Sequence, residues 1–373
     1  MALFGDERRK IRYAVVGLGW IAQEVILPAF KHVKNSELVA LVTGDPMKAQ
    51  ELKEKYDITQ TLDYDGYDEL LRNGSINAVY IALPNNMHRD YAVRAAEAGI
   101  HVLCEKPMAD TVAECEQMIH AADENGVKLM IAYRLHFEPA NLKAIETVEN
   151  GEIGDPRIFN SVFSQQVVEG NVRLKREMGG GPLMDMGVYQ INAARYLFRA
   201  EPIEVIGAGA NSGDPRFKEV HETASGILRF PGDRLAAFTC SFGAATADAY
   251  QVVGTKGTMW LEPAFDYHPK YEIRLKIEGK EWSSSIHKVD QFGGEIEYFS
   301  ECVLNDKEPE PSGYEGMADI RVVEALLQSI RSGAPVKLEP YEKPTRPSSS
   351  QEKDKSAIKP QKLIHAQSAS GGK

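Results

Sequence analysis

The stretch that most limits what this chain can become is residues 11–30, where the short β-branched run Ile11-Arg12-Tyr13-Ala14-Val15-Val16 stops abruptly at Gly17-Leu18-Gly19-Trp20-Ile21-Ala22. Such a run suits a strand buried on both faces of a parallel sheet. The GxGxxA turn after it predicts a dinucleotide site, and each small residue has its own reason. Gly17 permits the tight turn, Gly19 leaves no Cβ between backbone and pyrophosphate, and Ala22 lets the next helix lie against the strand. That helix, opened by Trp20 and Ile21, offers free N–H groups and a partial positive charge to a phosphate. A turn without a ligand is the bland alternative for any glycine pair, but the flanking strand and helix favour the nucleotide.

Strand and helix patterns keep alternating up to residue 132. Strands are expected at 37–42, 77–82, 100–104 and 128–132, with a short element near Asp63, and helices at 21–31, 47–56, 67–72, 89–98 and 111–125. Together they predict an α/β Rossmann domain, a doubly wound parallel sheet of six strands, over residues 1–135. From about Asn150 longer strands dominate, at 157–166, 203–210, 223–230, 234–242, 249–254, 258–261 and 271–277, with helices through 197 and near 292–304 and 316–331. The expectation for residues 136–340 is a C-terminal α+β domain on a large, mostly antiparallel open sheet. A chain of 373 residues suits two domains. Residues 341–373 are rich in Pro, Ser, Lys and Gln with few large apolar side chains, so disorder is expected there.

A net charge of −11 argues against nucleic acid as a partner, because binding a polyanion needs clustered Lys and Arg. No apolar run is long enough for a membrane span, and residues 1–10 hold no apolar export region. Cys104, Cys115, Cys240 and Cys302 lack CxxC spacing, which suggests neither a disulfide framework nor a metal site. A cytoplasmic protein is expected.

The end of the second strand bears on the choice of cofactor. NAD sites usually carry Asp or Glu there for the ribose hydroxyls, whereas this chain has Thr43-Gly44 and then Lys48, a hydroxyl, backbone amides and an ammonium that would attract a 2′-phosphate. Asp45 could be that acid displaced, yet Asp45-Pro46 reads better as a helix N-cap followed by proline at the first helical position. NADP is favoured over NAD. At the carboxyl edge of the sheet, Pro84, Asn85 and His88 are candidate cofactor contacts, although a histidine at a helix start more often bonds backbone. Glu105-Lys106-Pro107 ends the next strand beside the expected nicotinamide position, and its X–Pro bond admits a cis form. Arg134 stands at the last carboxyl end. In the second half, Gly179-Gly180-Gly181 allows close approach, and Asp185 and Tyr189, four apart, share one helical face.

With Glu105-Lys106-Pro107 and GGGPLMDMGVYQINAARYL (residues 179–197) on the page, the chain resembles the glucose-fructose oxidoreductase and inositol dehydrogenase family over roughly residues 11–335. The likeness is to its aldose-oxidising branch, through residues 132–139 and 214–220 and through Tyr189, where inositol dehydrogenases usually have histidine. The resemblance implies that Lys106 contacts the reacting hydroxyl and the cofactor, Tyr189 exchanges the proton, and Asp185 orients the sugar. It also implies that Arg134, Arg173 and Tyr267 line the cleft, and that Thr43 and Lys48 hold a 2′-phosphate. The activity it implies is NADP-dependent oxidation of a pyranose aldose at C1, either coupled to reduction of a second sugar or as a simple aldose 1-dehydrogenase. A non-catalytic dinucleotide sensor is the rival, though it has no need of Lys106.

The residues suit that chemistry. A phenol, with an ordinary pKa of about 10, is a poor base at neutral pH. A lysine ammonium at ~4 Å, in an effective dielectric of about 20, favours its anion by about 4 kcal/mol before desolvation is deducted. The apolar alternation through residues 227–242 calls for a cover, so a homodimer or homotetramer through the C-terminal sheet is expected.

Overall fold

The computed structural model describes residues 10–371 except His268 and Pro344. Residues 1–9, read above for an export region, and residues 372–373 lie outside the described residues.

The first sheet is built from β1 (Ile11–Val16), β2 (Ser36–Val42), β3 (Gln60–Leu62), β4 (Ala78–Ile81), β5 (His101–Glu105) and β6 (Leu129–Ala132). Its order is β3-β2-β1-β4-β5-β6 and every pairing is parallel. Chain order therefore reverses beside β1, at whose carboxyl end such a sheet binds its ligand. After the glycine turn the chain forms a π-helical turn, Ala22–Ile26, that runs into α1 (Leu27–Ala29). The other connecting helices are α2 (Pro46–Tyr56), α3 (Tyr67–Arg72), α4 (His88–Glu97) and α5 (Val112–Glu124). Thr111 closes a capping box on α5 with Glu114, satisfying two otherwise orphaned N–H groups.

After α6 (Pro139–Glu149), a helix the sequence reading passed over, the chain builds β7 (Pro156–Ser164), α7 (Val188–Phe198), β8 (Glu204–Ala210), β9 (Thr223–Phe230), β10 (Arg234–Ser241), β11 (Ala247–Gly254), β12 (Gly257–Glu262), β13 (Lys270–Ile277) and β14 (Lys280–His287). Then come α8 (Gln291–Leu304), α9 (Gly313–Ser332) and β15 (Val336–Lys337). The second sheet has nine strands in the order β14-β13-β12-β11-β7-β10-β9-β8-β15. It is antiparallel except where β7 meets β10. β14 was missed because Lys-Glu-Trp-Ser-Ser-Ser-Ile-His is an almost wholly exposed edge strand with no apolar alternation.

Two features tie the halves together. α8, from the C-terminal half, packs under the first sheet: Phe292, Ile296 and Phe299 share a core with Tyr13, Val15, Leu41 and Tyr80. α9 covers the inner face of the second sheet so closely that a Cβ on Gly207 would lie 2.7 Å from the Leu326 carbonyl oxygen.

The expected disorder of residues 341–373 is corrected for the described residues of that stretch alone. The described part of this tail lies along the body, and its cations meet acids that its own composition does not reveal. Lys343 is buried between Glu310 and Glu315 at 2.6 and 2.7 Å. Arg346 reaches Glu201 at 2.6 Å, Lys353 reaches Glu301 at 2.8 Å and Lys355 reaches Glu297 at 2.6 Å. The first of these meets a wider buried network, in which Arg195 donates to Glu201, Glu315 and Asp319. Buried charges of this kind persist only when paired.

Candidate active site

Both glycines of the opening turn are needed for different physical reasons. Gly17 has φ +91°, and a Cβ there would lie 2.5 Å from the Ala82 carbonyl oxygen. Around the missing Cβ of Gly19 nothing lies within 4 Å, so its backbone is open to a ligand. No side chain caps the π-helical turn that follows, which leaves its first N–H groups to an anion. These features fit a dinucleotide pyrophosphate.

A cleft of about 910 Å³ runs from this turn to the second domain. Of the expected cofactor residues, Gly17, Gly19, Trp20, Ile21, Thr43, Lys48, Pro84, Asn85, Glu105, Lys106, Arg134 and Arg173 line it, as do Asp185, Tyr189 and Tyr267. Three do not. Ala22 is fully buried behind the turn, in keeping with its expected packing role. Gly44 faces the Tyr64 ring, 3.2 Å from where its Cβ would stand. His88 is fully buried, with Nδ1 2.8 Å from the Pro107 carbonyl oxygen and Nε2 2.9 Å from that of Leu83. It ties the loop after β4 to the loop after β5 and does not line the cleft.

At the nucleotide end Asp45 caps α2 by accepting from the Lys48 N–H at 3.0 Å, and its other oxygen lies 2.8 Å from His365 Nδ1. The Lys48 N–H, followed by His365, holds this carboxyl below its ordinary range. An acid already engaged on both oxygens is less free to accept the ribose hydroxyls of NAD.

At the opposite end the two halves of the chain converge. Lys106, at the end of β5 and preceding a cis peptide bond to Pro107, donates to the Asp185 carbonyl oxygen at 3.0 Å and to its Oδ1 at 3.2 Å. Arg173 donates to Asp185 Oδ2 at 2.8 Å. Burial works to raise the Asp185 pKa, but the charges of Arg173 and Lys106 outweigh it and hold the carboxyl well below the usual carboxylate range. Burial likewise works against the Lys106 ammonium and is outweighed, chiefly by Asp185 and then Tyr189, so its pKa is raised. Asp185 sits in a second π-helical turn, Leu183–Gly187, which leads directly into the helix carrying Tyr189. Such turns favour functional positions.

The contact to Tyr189 differs from expectation. The Lys106 ammonium stands over the ring, 4.6 Å from its centroid, while the hydroxyl accepts a hydrogen bond from Arg134 Nε at 3.2 Å. Arg134 is buried, bonds Gln291 and the Phe265 carbonyl, and lies 4.1 Å over the Tyr267 ring. Two cations therefore face one phenol, one on its ring and one on its oxygen.

Behind Lys106, the Tyr80 hydroxyl lies 3.0 Å from both Glu105 Oε1 and Glu295 Oε1. The phenol has one proton to donate, and it accepts a second hydrogen bond only from a protonated acid. Burial raises the pKa of both acids, and at Glu295 the charge of Glu105 adds to the rise. Sequence reasoning also missed Gln165, Asn171, Asp266 and Lys288 on the cleft wall, together with the tail at His365–Ser370. None of these residues stands in a local pattern that points to the site.

Comparison with known proteins agrees with this architecture. Residues 11–133 match the oxidoreductase family with an NAD-binding Rossmann fold, and residues 141–260 match the GFO/IDH/MocA C-terminal domain. The chain is 32% identical over 336 residues to a D-xylose 1-dehydrogenase [NADP(+)] of Haloarcula marismortui, covering 88% of this chain and 93% of that one. It is 30% identical to D-xylose 1-dehydrogenase (NADP(+)) 2 of Haloferax volcanii, over 88% of this chain and 99% of the relative. The crystal structure of aldose-aldose oxidoreductase from Caulobacter crescentus complexed with glycerol superposes with a TM-score of 0.85 at 38% identity, covering 88% of this chain and all of that one. A glycine turn open to a pyrophosphate, a cleft between two such domains and these likenesses along most of the chain lead to one assignment: the chain belongs to the GFO/IDH/MocA oxidoreductase family.

Proposed function

We propose that this chain is an NADP-dependent sugar oxidoreductase acting at C1 of a pyranose aldose. The observation that carries the reading is the meeting of Lys106, Asp185 and Tyr189 in the cleft that the glycine turn opens into. The nicotinamide supplies hydride exchange when bound. Tyr189 takes the proton of the C1 hydroxyl as hydride leaves that carbon, and returns it in the reverse direction. Lys106 over the ring and Arg134 on the hydroxyl set two fixed cations against the phenol, and they need no reorganisation as the reaction proceeds. Asp185, held anionic by Arg173 and Lys106, accepts hydrogen bonds from neighbouring sugar hydroxyls. Thr43, Lys48 and the engaged Asp45 support NADP over NAD, as do relatives whose names carry NADP(+).

A panel of aldoses incubated with NADP and followed at the reduced-nicotinamide absorbance tests this. The expected result is turnover of at least one pyranose, with little from NAD. Protein that binds NADPH but is inert to every sugar would instead be a sensor. The D-xylose 1-dehydrogenase relatives favour a second reading, a simple aldose dehydrogenase that exchanges cofactor each turnover. Turnover between two sugars without added cofactor would exclude it.

The reading extends to assembly and compartment. The outer face of the second sheet exposes Ile158, Leu235, Ile227 and Ile206 on adjoining strands, bordered by the pair Arg229 and Glu204. A second copy of the chain covers this face, giving a homodimer or homotetramer. Four unpaired, buried cysteines suit a reducing cytoplasm.

A further inference from the structure

The tail does more than lie on the body, because its last described residues enter the cleft. His365, Gln367 and Ser370 line the same space as Gly19, Thr43 and Lys48. They are fastened at both lips. On the nucleotide side Gln23, fully buried beside the glycine turn, grips residue 364 by both main-chain groups: the Ile364 N–H donates to Gln23 Oε1 and Gln23 Nε2 donates to the Ile364 carbonyl, each at 2.8 Å. The Gln361 N–H donates to Glu24 at 3.1 Å, and His365 meets Asp45 at 2.8 Å. On the second-domain side the Val168 N–H donates to the Ala369 carbonyl at 3.0 Å. Ile364 and Ala369 are buried, so each fastening also removes apolar surface from water. Between the fastenings the chain crosses the mouth of the nucleotide half of the cleft.

We propose that residues 358–370 are part of the cofactor site: a strap that retains NADP between turnovers and, through His365, engages Asp45 so that this acid is not free to accept the ribose hydroxyls of NAD. The inference rests on the NADP reading above. A ligand under a strap fastened on both sides leaves only when one fastening opens, so the strap slows release more than it strengthens initial contact. Its chemistry suits that task, because the groups it offers the cleft are an imidazole, an amide and a hydroxyl, all able to donate to phosphate oxygens.

Three measurements on the full chain and its variants test this. The first is the release rate of NADPH, followed by its fluorescence after dilution into excess NADP, for the native chain, for a chain ending at Ala357 and for Ile364→Asp. Release is expected to be at least tenfold faster in both variants, and rates within twofold of native would overturn the strap. The second needs no variant, so a failure to fold cannot obscure it. Bound NADPH is expected to slow tryptic cleavage after the exposed Lys362 by at least fivefold, and equal cleavage with and without NADPH would overturn the proposal. The third is the ratio of dissociation constants for NAD and NADP, which His365→Ala is expected to shift towards NAD by at least fivefold. An unchanged ratio would remove the role given to Asp45 and His365. If the native chain shows no NADPH fluorescence change at all, the NADP reading itself fails, a different result from binding that is insensitive to the strap.

Discussion

Lys106 and Tyr189 come from separate halves of the chain and meet at 4.6 Å. If they work as proposed, Lys106→Ala and Tyr189→Phe each lower kcat by about a hundredfold or more, within the usual range for loss of a general acid-base group. NADPH affinity measured by fluorescence should change far less in Tyr189→Phe, and near-native turnover in either variant would remove the assignment. Asp110, just beyond the Lys106-Pro107 bond, offers a pH test. Its Oδ1 is buried without a hydrogen-bond partner among the described residues, and burial, followed by the charge of Glu114, pushes its pKa up from 3.8 to about 6. Between those values the folded chain binds more protons than the unfolded one, so this residue's contribution to stability is lost as pH rises towards about 6. Asp110→Asn is therefore expected to raise the melting temperature at pH 7 to 8 and to have little effect near pH 4. Melting curves at the two pH values check it. The sequence named Lys106, Asp185, Tyr189 and Arg134, but it could not say that Arg134, rather than Lys106, bonds the phenolic oxygen. That depends on where the side chains turn once the domains have met.

Individual elements were most legible where their physics is local. Asp45 followed by Pro46 was read as a helix start, and Asp45 does cap α2. The capping box at Thr111 is local in the same way: Thr111→Ala should cost about 1 kcal/mol by denaturant titration, the usual value of a lost N-cap. α6 was legible, with Leu142, Ile145 and Val148 at helical spacing behind Pro139, whereas β14 escaped because an exposed edge strand carries little periodic signal. The two π-helical turns, one after the glycine turn and one at Asp185, were equally invisible. Each adds a residue to a helical turn in response to its neighbours, which local composition does not record.

At the scale of the molecule, the exposed apolar face of the second sheet carries its own prediction. If a second copy covers that face as proposed, charges placed there by Ile227→Lys and Leu235→Lys, two sites on neighbouring strands of the sheet, should leave the fold intact and give a monomer at roughly micromolar concentration. Light scattering reads the outcome, and an unpartnered native chain would contradict the expected assembly. The amino-acid sequence alone determined the order of strands and helices in the first domain, the glycine turn, the preference against a ribose-binding acid and the residues able to do proton chemistry, because periodicity, turn chemistry and charge are properties of neighbours along the chain. Only the tertiary structure decided that α8 completes the first domain's core, that His88 meets the Leu83 and Pro107 carbonyls, and that the described residues of a polar tail lie along the body. Those outcomes depend on groups that only folding brings together: the tail's lysines and arginine pair with Glu201, Glu297, Glu301, Glu310 and Glu315, which stand 28 to 145 residues earlier, and no stretch of the tail itself encodes where those acids will stand.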